Sequence, residues 1–280
     1  RGQCQRRDEC ERGCSFGAYF SSLSATLPAA RRTNNLTIFT DSIAHSVEYD
    51  KENKRASGIN VVNSNTNEFS RLNARIIFLC ASTLGTTQIM LNSKSESFPN
   101  GIANSSGVLG HYLMDHIFES GANGVYPGFQ DKYFRGRRPN GIYIPRYHNI
   151  DKKDDRFLRG FGFQGGGKRP GWKRGRAIKG LGVDLKEQLK RPGPWTFSLG
   201  GFGEMLPDKR NKVWLDQKQK DKWGIPILNI ECVLRENELK MLKVMAEDAK
   251  EMLEASGMVD VPTYNNSAPP GLAIHEMGTA

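Results

Sequence analysis

The sequence predicts an α/β protein whose later part is α+β, and three patterns carry that expectation. Extended segments cluster early, as NLTIFTD (35–41), IAHSVEYD (43–50) and SGINVVN (57–63), with the polar turn DKENKRA between the last two, a small antiparallel meander. A nearly continuous apolar run, ARIIFLCAS (74–82), closes on small residues and passes into the helical pattern TLGTTQIMLNS. Such a run suits a strand buried on both faces of a parallel or mixed sheet. Later, TFSLGGFGEML (196–206), NKVWLD (211–216) and ILNIECVL (227–234) read as strands, and an amphipathic helix from Glu236 to Ala255, stopped at Gly257, covers them.

Between these blocks, VLGHYLMDHIF leads into a Gly-, Pro- and aromatic-rich region with strand-like pieces IYIP and FLRGFGFQ. A chain of 280 residues can bury a large core and form one big or two unequal domains. No apolar run approaches the roughly 18 residues of a membrane helix. The chain starts at Arg1 and ends within the Gly-containing stretch MGTA, so it reads as a piece excised from something longer.

Net charge is +10 but unevenly placed: residues 131–191 hold 18 Lys/Arg against 6 Asp/Glu. The stretch includes GGGKRPGWKRGR (165–176) yet carries no nucleic-acid-binding motif, which points away from nucleic acid. A solvated loop face, or a docking surface for an acidic protein around Lys168, Arg169, Lys173 and Arg174, is expected instead.

Three of the five cysteines, Cys4, Cys10 and Cys14, fall within one short stretch, CQRRDECERGCSFGA, spaced C-x5-C-x3-C. Zinc sites favour C-x2-C pairs and four ligands, and no such pair is present. A disulfide would leave one of the three over. An iron–sulfur cluster uses closely spaced thiolates, and three would suit a [3Fe–4S] centre. On spacing alone, cluster, metal-free structural cysteines and zinc stay open. Cys80 and Cys232 lie in strand-like segments and are expected to be buried and inert.

Four ordered segments, NLTIFTDSIAHSVEYD, ARIIFLCASTLGTTQIMLNS, SGVLGHYLMDH and GFGEMLPDKRNKVWLDQKQKDKWGIPI leading through the long helix to HEMGTA, together resemble the glucose–methanol–choline (GMC) oxidoreductases, flavoenzymes that oxidise alcohols and sugars. The resemblance is nearest to FAD-dependent sugar, gluconate and glucoside dehydrogenases. It implies a remnant of a Rossmann-like FAD/NAD(P)-binding domain plus a substrate domain with a mostly antiparallel sheet covered by helices. In residues, 1–110 would be part of the FAD domain, 111–268 the substrate domain, and 269–280 a return to the FAD domain at the active-site loop. It covers the middle and later part of such an enzyme. The Gly-rich nucleotide fingerprint and the second active-site His or Asn are expected outside these residues, so the segment by itself is expected neither to hold FAD tightly nor to turn over.

The resemblance assigns roles position by position. Ala44 matches the backbone contact to the FAD adenine. Ser82 and Thr83 match small residues near the flavin phosphates and ribityl chain, with Gly usual in the family at the position of Ser82. His275, in GLAIHEMGTA, matches the active-site histidine. There an imidazole would remove the hydroxyl proton as a hydride leaves for flavin N5. His111 and His116 belong to a segment whose recurrence looks structural, and His45 and His148 read as surface or packing residues.

In GMC sugar dehydrogenases that work with a cytochrome subunit, a similar three-cysteine motif followed by G-A binds a [3Fe–4S] cluster, which Cys4, Cys10 and Cys14 with SFGA resemble. That likeness favours a dehydrogenase with a cytochrome c-type or small-subunit redox partner, a sugar or polyol substrate and a periplasmic location. Steroid, choline or aliphatic alcohols stay open as substrates. Two other readings are an oxygen-using alcohol or sugar oxidase with purely structural cysteines, and a basic binding module without catalysis.

Overall fold

The structure, a computed structural model, describes residues 2–5, 13–132 and 141–280. Its elements run α1 (Leu27–Arg31), β1 (Ser42–Asp50), β2 (Arg55–Asn63), β3 (Phe69–Asn73), α2 (Ser82–Asn92), β4 (Ser120–Tyr126), β5 (Gly141–Ile144), β6 (Phe161–Lys168), α3 (Gly182–Leu189), β7 (Trp195–Gly203), β8 (Lys212–Lys220), β9 (Pro226–Glu231), α4 (Glu236–Ala255) and β10 (Thr263–Asn265). They fall into two compact units, each discontinuous in sequence: residues 1–37, 117–203 and 236–268 form one, and 38–116, 204–235 and 269–280 the other.

The first unit is a five-stranded antiparallel sheet in the order β10-β4-β7-β6-β5, backed by α4. Helix α4 presents Met241, Leu242, Met245, Ala249 and Leu253, all buried, at the three- and four-residue spacing of one helical face. The sheet answers with Phe161, Phe163 and Leu199, joined by Ile117, which bridges to Gly203, all buried. Close approach is possible because β7 offers glycines there: a Cβ on Gly201 would stand 2.7 Å from Met245 Sδ, and one on Gly203 2.7 Å from Met241 Sδ. The helix ends as its sequence predicts. Gly257 adopts φ +83°, Met258 N–H donates to the Leu253 carbonyl and Gly257 N–H to that of Glu254, a Schellman cap.

The same unit buries His148 between two acids, its Nε2 2.7 Å from Asp248 on α4 and its Nδ1 3.1 Å from Asp154, against the rings of Phe157 and Phe161. Hydrogen bonds from the Arg156 guanidinium hold the Asp154 carboxyl down at about 2. Burial and the bond to Asp248 push the Tyr147 phenol well above its usual range. His148 is thus a packing residue, as its sequence context suggests, and it ties the loop after β5 to α4.

The second unit holds the meander β1-β2-β3, the hairpin β8–β9 and α2. Side-chain caps make its turns. Asp50 Oδ1 accepts from Asn53 N–H, Asn63 Oδ1 from the N–H groups of Asn65 and Thr66, and Asp221 Oδ1 from those of Trp223 and Ile225. On the edge strand β1, the pairing with β2 shifts register between Ala44 and Ser46, so His45 is bulged out of step.

Three local expectations are corrected. Residues 35–41 form no strand; the meander starts at Ser42 and gains its third strand from β3 instead. The run Ala74–Ser82 is not a buried strand: among the described residues no strand pairs with it, and Ile76 and Phe78 are 71% and 83% exposed. An extended segment without a neighbour has no ladder partner for its main-chain N–H and C=O groups. Cys80, in that run, is accordingly exposed rather than buried.

Candidate active site

His275 lies on the segment 269–280, and that segment is fixed within its unit by main-chain bonds along its length. Met277 pairs with Met114 as an antiparallel bridge (2.9 and 3.0 Å). Gly110 N–H donates to the Thr279 carbonyl (2.7 Å) and Thr279 N–H to that of His111 (3.0 Å). Gly278, at φ +86°, passes so close to the Tyr112 carbonyl that a Cβ would not fit, so the glycine of H-x-x-G-T is required by the docking itself. Helix α2 adds side-chain anchors: Thr83 Oγ1 donates to the Glu276 carbonyl (2.6 Å), and the hydroxyls of Thr87 and Thr279 share a bond of 2.6 Å.

The residue that organises this loop is Asp115, which is 4% exposed. Its Oδ1 accepts from the main-chain N–H of His116 (2.8 Å) and His275 (3.1 Å), and its Oδ2 from Gly271 (2.7 Å) and Ala273 (3.3 Å). Four oriented amides thus meet one buried carboxylate. The loop bends to deliver them, with Gly271 at φ +100° and Ile274 at φ +57°. The imidazole of His275 is exposed and stands edge-on to that of His116, ring centres 5.2 Å apart at 68°. Nearby, burial followed by the charge of Asp115 pushes the Cys232 thiol up to about 11, so this cysteine stays protonated and unreactive near neutral pH.

The sequence singles out His275 but passes over Asp115, reading its segment as architecture. The signal lay in the pattern L-M-D-H itself: an acid among apolar residues, directly before a histidine, is costly to bury unless something accepts its charge. The other two polar candidates stand at the N-terminus of α2. Ser82 is exposed and adopts φ +62°, a left-handed conformation that suits glycine. Thr83 keeps its main-chain N–H and hydroxyl lone pairs while its proton goes to Glu276. Ala44 sits on the edge strand β1, which leaves main-chain groups outside the ladder. An edge of this kind and a glycine-like turn at a helix start fit the main-chain contacts a dinucleotide needs.

Of the three clustered cysteines, Cys10 lies outside the described residues. The segments carrying the other two are joined where Gly2 N–H donates to the Gly17 carbonyl (3.2 Å). Cys14 is held among the main-chain N–H groups of residues 16–19, foremost Tyr19 and then Ala18, which lower its thiol pKa. Among the described residues no group of three His, Cys, Asp or Glu side chains is placed to hold a metal.

The chain matches the GMC oxidoreductase family model over residues 1–118. It is similar to the 2-methyl-1,2-propanediol dehydrogenase of Mycolicibacterium austroafricanum, 29% identical over 81% of this chain and 42% of that protein. It is also similar to the fructose dehydrogenase large subunit of Gluconobacter japonicus, 22% identical over 93% of this chain and 47% of that protein. The chain therefore spans less than half the length of the curated relatives it matches.

Proposed function

We propose that the chain is part of an FAD-dependent dehydrogenase that oxidises an alcohol group of a sugar or polyol, with His275 as the base. Support comes from the placement of His275: exposed ring, anchored main chain and a second imidazole alongside. Oxidation of CH–OH to C=O releases one hydride and one proton, and His275 takes the proton from the hydroxyl oxygen. When bound, FAD supplies the hydride acceptor. Ala44, Ser82 and Thr83 would hold the cofactor through main-chain and small-side-chain contacts. The relatives are named for a diol and a ketose, which makes 2-methyl-1,2-propanediol and D-fructose the first substrates to try.

The test is His275→Ala in the full-length enzyme. Flavin content should stay unchanged, while the rate of flavin reduction by substrate falls about 100-fold or more. A rate within about threefold of the unsubstituted enzyme would remove His275 from the reaction.

Cys4, Cys10 and Cys14 would hold a [3Fe–4S] cluster, which would supply a one-electron path to an external acceptor, a cytochrome c-type protein or small subunit. The relative described as a large subunit supports a multi-subunit assembly, and the amides around Cys14 suit a thiolate ligand. Anaerobically purified full-length enzyme should contain about three irons per flavin, and Cys14→Ser should lose them. Iron-free enzyme of full activity towards its acceptor would leave these cysteines structural. A periplasmic location fits such a redox partner.

A further inference from the structure

We propose that Asp115 is a positioning residue for the reaction: it sets where the His275 imidazole stands rather than merely stabilising the fold. This rests on the reading of His275 as the base.

The geometry separates Asp115 from an ordinary buried acid. Three of its four N–H donors, Gly271, Ala273 and His275, are alternate residues of the loop that carries the imidazole, and the fourth is its own neighbour His116. One carboxylate therefore fixes the main chain of His275 on one side and that of the ring beside it on the other. The left-handed Ile274 lies within this span, so the loop holds a bend that ordinary side chains disfavour. Further along, Thr83 and Thr87 secure Glu276 and Thr279, and Asp115 holds the approach to His275. A base must meet the hydroxyl proton at hydrogen-bonding distance, and a displacement of about 1 Å costs on the order of 100-fold in rate.

Two substitutions distinguish positioning from folding. Asp115→Glu keeps the charge and both acceptors but moves them by one methylene. Asp115→Asn keeps the size but turns an N–H₂ towards one pair of amides. Both are made in the full-length, flavin-loaded enzyme beside His275→Ala. Flavin reduction is followed in single turnover with 2-methyl-1,2-propanediol or D-fructose, whichever reduces the unsubstituted enzyme, and amide hydrogen exchange is read over residues 271–275. Each Asp115 variant is expected to bind flavin normally, to lose roughly 10- to 100-fold in limiting reduction rate with substrate Kd within about threefold, and to lose exchange protection over 271–275. Protection unchanged in both variants, or a limiting rate per bound flavin within about twofold of the unsubstituted enzyme, overturns the proposal. If that happens while His275→Ala is inactive, His275 stands as base without Asp115. Should His275→Ala itself stay active, the reading of the base fails, and the positioning proposal with it.

Discussion

At the level of single residues, conformation explains choices that residue type alone obscures. Ser82 opens α2 at φ +62°, where a side chain costs about 1–2 kcal/mol and glycine costs little. Glycine's greater freedom in the unfolded chain returns part of that gain. Ser82→Gly should therefore stabilise the protein by about 0.5–1 kcal/mol, and Ser82→Val, branched at Cβ, should destabilise it by at least as much. Urea titration followed by circular dichroism checks both. Equal midpoints for Gly, Ser and Val would contradict a left-handed start to this helix. Ser82 is exposed, so the two variants chiefly report backbone strain.

At the level of elements, legibility followed the locality of the cause. Helix α4 was readable because its apolar face, acidic first turn and Gly257 cap all sit within about twenty residues of sequence. The strands β1, β2 and β5 to β9 were readable within a few residues at their ends, because turn chemistry and alternation are local too. Ala74–Ser82 misled for the opposite reason. Its apolar run encodes burial, but a strand exists only where another backbone completes its ladder, and the described residues supply none. Ile76 and Phe78 remain exposed as the trace of that demand. The site divided along the same line. The proposed base His275 is marked in sequence by its G-T neighbours, whereas Asp115 depends on amides more than 150 residues away in sequence, a relation no spacing rule records.

At the level of the whole molecule, charge placement bears on how electrons would leave. The basic stretch 131–191 suggests a docking face, but its arginines are not interchangeable with its lysines. Arg169 donates to the carbonyls of Gln130, Lys132 and Gly193, and Arg174 to those of Pro170, Gly171, Gln188 and Arg191. These guanidiniums staple loops together, so reversing their charge would break the lobe and say little about docking. Lys168, Lys179 and Lys186 are exposed and suited to the experiment. With all three changed to Glu, reduction of a cytochrome c-type acceptor at low ionic strength should slow by roughly tenfold or more, and its dependence on salt should flatten. Flavin reduction by the alcohol should be unaltered in the same protein. Salt would erase the difference between variant and parent, because exposed charges are screened beyond about 10 Å at 0.1 M. An unchanged rate of acceptor reduction at low salt would move the exit for electrons to another face.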